Sequence, residues 1–112
     1  MLDNIKAFFT RAWEALKRFG KWLFTKILNF AKNIRDFFLE RSRRELLRKR
    51  KELLAVSIKE KLDNGNYGVV DCLYDTNTEE IFDMEEAQAV EAEQLDDVTI
   101  RNFGDKEMIV LQ

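Results

Sequence analysis

The chain has no histidine, one cysteine (Cys72) and only four glycines in 112 residues. Without histidine the commonest general base is missing, Ser-His and Cys-His nucleophile pairs cannot be assembled, and most zinc and iron sites lose their usual ligand. A lone cysteine cannot close an internal disulfide, which points to a reducing, cytoplasmic compartment. Its neighbours Val70, Leu73 and Tyr74 are strand formers, so Cys72 reads as an inert buried thiol. Gly20, Gly65, Gly68 and Gly104 are too scattered to build a Walker loop or a dinucleotide-binding turn. Long apolar runs are scarce as well. The longest before Asp36 is Trp22-Leu23-Phe24, far short of the ~20 residues a spanning helix requires. Asp3 stands where a signal peptide would be basic, so no export signal is expected. These absences argue against an enzyme, a resident metal or cofactor, and a small-molecule substrate.

What the chain does have is apolar and charged residues in quantity, 46% and 36% respectively, enough for one core. The charge is unevenly placed. Residues 1–54 carry 15 Lys and Arg against 6 Asp and Glu, a balance of +9, while residues 55–112 carry 4 against 15, a balance of −11. Such asymmetry favours a charged partner, self-association or contact between the halves.

From Leu2 to Phe38 the apolar residues recur near a period of 3.6, which predicts a long amphipathic helix over 1–41 with Asp3 as its cap. Ser42-Arg43-Arg44-Glu45 has the form of a capping box, so a second, basic helix is expected over 42–64, ending at Asp63-Asn64-Gly65. The two would form a helical hairpin or kinked arm. Residues 65–112 read as an acidic α+β unit. Val69–Tyr74 and Ile81-Phe82 suggest a hairpin across Asp75–Thr78, and a short helix is expected within Asp83–Leu95. Another turn or two of helix near Val98–Phe103 would be capped by Gly104, with a closing buried strand at Met108–Leu111. The fold class expected is α+β: two helices followed by a small sheet of two or three strands.

Three patterns bear on function. Asp75, Asn77, Glu79, Asp83 and Glu86 fall at calcium-loop spacings, but Glu80 stands where such a loop needs glycine, so a hairpin turn is the better reading. Nine of the 13 aromatic residues lie in the first 40 positions. Phe9, Trp13, Leu16, Phe19, Trp22, Leu23, Phe30 and Phe37 mark a stripe flanked by lysines, suited to a membrane surface or an apolar protein partner, a second copy included. The densest basic run supplies Arg43, Arg44, Arg48, Lys49, Arg50 and Lys51 as candidate phosphate contacts, the alternative being a nucleic-acid-associated or packaging protein. The leading expectation is a non-enzymatic interaction protein that docks through the aromatic stripe.

Overall fold

The computed structural model describes residues 4–111, so the cap expected at Asp3 lies outside the described residues. Helix α1 (Ile5–Phe19) is capped by Asn4, whose side chain accepts from the Ala7 amide. It ends at Gly20, whose backbone is extended. Strand β1 (Trp22–Leu28) follows, then a π-helical stretch (Phe30–Arg35) that runs into α2 (Asp36–Leu39), and α3 (Arg41–Lys49). The remainder is β2 (Leu53–Lys61), β3 (Tyr67–Asp75), β4 (Glu80–Ile81), a 3-10 turn (Met84–Glu86), β5 (Gln88–Leu95), α4 (Asp97–Phe103) and β6 (Met108–Leu111).

The expectation of two long helices ahead of a small sheet is overturned. The molecule is a mixed α+β fold built on a six-strand sheet, with main order β1-β5-β3-β2-β6 and β4 paired to β3. Strand β1 runs parallel to β5, and the other pairs are antiparallel. Strands from all three of the segments 1–41, 42–64 and 65–112 lie in this one sheet.

Each departure from the expected fold has a physical cause. Gly20 ends α1, and the aromatic and β-branched residues Trp22, Phe24, Thr25 and Ile27 that follow suit a strand once β5 is present to pair with. Residues 53–61 form a strand because β2 is central: Leu53, Ala55, Val56 and Ile58 are buried on both of its faces. A strand covered on both sides reads as a continuous apolar run, which periodicity cannot separate from a buried helix. Residues 88–95 are acidic and rich in alanine, yet they sit between β1 and β3, where pairing on both edges overrides propensity. Ser42 does not cap a helix. The α3 helix begins at Arg41, and the Ser42 hydroxyl donates to Glu40 (3.2 Å). The hairpin across residues 75–78 and α4 with Gly104 behind it are present as expected. The closing strand over 108–111 is present too, but it is not buried as expected: it lies at the end of the strand order, none of its residues is buried and Val110 is exposed.

The sheet carries a core on each face. On one, Phe8, Phe9, Ala12, Trp13 and Leu16 of α1 cover Val56, Ile58, Val70, Cys72 and Ala89. On the other, Phe30, Ile34, Phe37 and Phe38 cover Leu53, Ala55, Val69, Leu73 and Val90, joined by Phe103 of α4. The even and odd positions of β2 and β3 thus face opposite cores, as a pleated strand requires. Close seating of α1 depends on Gly68 of β3. A Cβ there would stand 2.9 Å from Phe9 Cζ and 3.0 Å from Trp13 Cζ3. Gly68→Ala is therefore expected to lower stability by about 1–3 kcal/mol through overpacking, measured by urea denaturation. An unchanged midpoint would mean α1 sits more loosely than these distances indicate.

Candidate binding surface

The aromatic stripe does not stay together. Phe9, Trp13 and Leu16 belong to the first core, and Phe30 and Phe37 to the second. Phe9 and Trp13 stack at 5.5 Å between ring centroids, and Trp22 is half-buried with Lys17 Nζ 5.6 Å from its ring centre. Only Phe19 (87% exposed) and Leu23 (39%) of the eight candidates remain well exposed. They are joined by two residues outside the candidate set, Phe24 (51%) and Ile27 (50%), so three of these four exposed side chains lie on β1. The run Trp22–Leu28 contained the signal for a strand, in its aromatic and β-branched residues, but nothing in it marks the strand as an edge.

Strand β1 is tied to β5 at both ends: the Ala89 amide donates to the Lys21 carbonyl (2.9 Å) and the Asp96 amide to the Leu28 carbonyl (3.0 Å). Among the described residues its opposite edge has no strand neighbour. Edge strands of natural proteins are ordinarily blunted by proline, by several charges or by being short. Here the strand is seven residues long and Lys26 is its one charged residue.

The basic run is divided in a similar way. Arg43 is buried; its Nη1 lies 3.1 Å from Glu40 and 3.5 Å from Glu86, and its guanidinium stacks 3.7 Å over Phe37, so it braces α3 against the second core. Arg50 bonds Glu52 through Nε and Nη2 (2.9 and 2.7 Å), while Arg48 and Lys49 lie 3.8 and 3.6 Å from Glu45. Arg44 and Lys51 are exposed and make no ion pair among the described residues. Arg41, Arg44, Glu45 and Arg48 line one shallow groove of about 660 Å³.

The acidic residues with shifted protonation serve the sheet. Asp71 is fully buried in β3, where it accepts from the Ser57 hydroxyl (2.7 Å) and from Gln88 Nε2 (2.8 Å). Removal from water pushes its carboxyl up to about 7, despite those two hydrogen bonds. Gln88 Nε2 also donates to the Asn33 carbonyl (2.7 Å), tying the π-helical stretch to the sheet. Glu60 is raised to about 7 by burial and by sharing a hydrogen bond with Glu107. Burial likewise pushes the Cys72 thiol up, which leaves it unreactive. Glu91 is held by Asn64 (2.9 Å) and Asn66 (2.7 Å) at the floor of a cleft of about 390 Å³ that Phe9, Trp13 and Lys6 also line. Asp75, the first position of the calcium-loop spacing, accepts from the Asn77 and Thr78 amides and so closes the hairpin turn.

No helix among the described residues is long and apolar enough to cross a membrane. Comparison with protein-family models, curated proteins and solved structures gives no match to this chain.

Proposed function

We propose that the protein is a non-enzymatic, cytoplasmic binding module that takes up an apolar, extended protein segment by strand addition along the outer edge of β1. The observation that carries this reading is the exposure of Leu23, Phe24 and Ile27 on a strand whose outer edge has no strand neighbour among the described residues. Main-chain hydrogen bonds along such an edge supply affinity, and alternate side chains supply selectivity. The vacant edge also favours a protein segment over lipid, because only a polypeptide completes a row of strand hydrogen bonds. The burial of Trp13 supports the same shift, since this ring is part of the core and cannot serve as an interfacial anchor without α1 lifting away.

A peptide array of random octamers, run beside flotation with anionic vesicles, tests the reading. Capture is expected for octamers with alternating apolar residues. The double change Phe24→Lys and Ile27→Lys should weaken it at least ~10-fold, equivalent to about 1.4 kcal/mol. Because both side chains are half-exposed, the melting temperature should move little. Array capture indifferent to these changes, or association with vesicles alone, would count against strand addition.

A second reading has an observation of its own. Arg41, Arg44 and Arg48 converge on one groove and are suited to phosphates, which keeps a nucleic-acid-associated role in view. Against it, Glu45 lies in the same groove and pairs with Arg48.

A further inference from the structure

We infer that the protein has a second site, an apolar pocket between α2, α3, β2 and β6 that binds a medium-chain fatty carboxylate. The site lies at the end of the strand order away from β1, so it does not depend on strand addition.

The pocket has a volume of about 340 Å³. Its walls belong to the second core: Phe38 and Ala55 are buried there, and Leu47 and Leu111 pack against that cluster. Leu39, at the end of α2, lines the pocket too and stays 51% exposed. A bound hydrocarbon would cover it. The volume is at the low end of the ~300–1,000 Å³ usual for ligand sites, which suits one chain of moderate length better than a two-chain lipid.

The remaining lining residues are both cationic, Arg35 and Arg44, and both are exposed, which places them at the rim. Arg44 makes no ion pair among the described residues. Arg35 has the Asp36 carboxylate 3.8 Å away, an exposed pair of the kind that contributes little in water. Arg44 also lines the neighbouring groove with Arg41 and Arg48, so the surroundings of the rim are basic. Nearby acids are engaged elsewhere, Glu40 with Arg43 and Glu45 with Arg48 and Lys49.

Hydrogen bonding decides between a hydrocarbon and a peptide. Phenylalanine, leucine, alanine and arginine side chains contain no acceptor, so the N–H groups of a peptide buried here would find none among them. A polymethylene chain has no such groups. Its carboxylate only accepts hydrogen bonds and the guanidiniums only donate, so the head is matched in charge and in hydrogen bonding.

Isothermal titration calorimetry on the full chain with hexanoate, octanoate and decanoate tests the site. One decanoate per chain is expected, with affinity rising about fourfold for each added methylene. Decanol and decyltrimethylammonium, which keep the chain and change the head, should each bind ~10-fold more weakly or worse. Arg44→Gln should cost decanoate ~10-fold and leave decanol unchanged. Leu39→Glu, which sets a like charge at the rim, should weaken decanoate as well. Both side chains are exposed, so the melting temperature without ligand should stay at that of the parent. Phe24→Lys with Ile27→Lys should bind decanoate as the parent does, which separates this site from the β1 edge. Equal affinity for decanoate and decyltrimethylammonium, or decanoate binding indifferent to Arg44→Gln and Leu39→Glu, would overturn the assignment. Absence of decanoate binding up to ~1 mM would do the same.

Discussion

Replacing Trp13 by alanine should cost about 3–5 kcal/mol of folding stability, which for a domain of this size is a large part of the total. The indole is 6% exposed, stacks on Phe9 and lies against Gly68, with the rest of α1 arrayed along the same face of the sheet. Truncation would leave a cavity that Phe9 and Leu62 cannot fill without moving α1. Urea denaturation should show a lower midpoint with little change in slope, because the same surface is exposed on unfolding. Trp22→Ala, at a half-buried site, should cost clearly less. If Trp13→Ala left stability unchanged but removed partner binding, the ring would be a contact surface, and its placement in the core would be contradicted.

The second large effect is expected at Asp71 and is read through pH. Its carboxyl is raised from 3.8 to about 7 in the folded chain, so the folded state holds the proton more tightly than the unfolded state. The associated stability is complete below pH 3.8, declines as pH rises through the window to about 7, and is absent above it. At 1.36 kcal/mol per unit the ceiling is on the order of 4 kcal/mol. Asp71→Asn reproduces the hydrogen bonds of the protonated acid, with the amide donating to the Ser57 hydroxyl and accepting from Gln88. The variant should match the parent near pH 4 and exceed it by roughly 2–4 kcal/mol at pH 8. Glu60, also raised to about 7, contributes a slope of the same sign to both proteins, so the difference between the two isolates Asp71. A difference that is flat in pH would show Asp71 to be ionised within the fold.

How far the sequence was legible follows from what each signal depends on. Local chemistry carried through where it was sufficient: the Asp75 turn, the glycine behind α4 and the Met108–Leu111 strand needed no distant partner to be recognised. The amphipathic reading was right for Ile5–Phe19, where the apolar face meets the sheet. It failed beyond Gly20 because Leu23 and Ile27 fall on a helical stripe by spacing, while pairing with β5, 67 residues on in the register, makes them part of a strand. The same dependence on distant partners hid β2 and β5. For the candidate surface, composition pointed to an excess of aromatic residues near the start of the chain but could not separate those needed by two cores from those left over. Nor could it show that Arg43 turns inward to meet Glu40 and Glu86.

The central claim is that association resides on the β1 edge and that the aromatic stripe of α1 is core. Amide hydrogen exchange by mass spectrometry, with and without an octamer of alternating apolar residues captured on the array, tests it most directly. Peptides covering 22–28 should gain protection when the octamer is bound, while those covering 5–19 and 108–111 exchange alike with and without it. Octamer-dependent protection in α1, with none in β1, would contradict it.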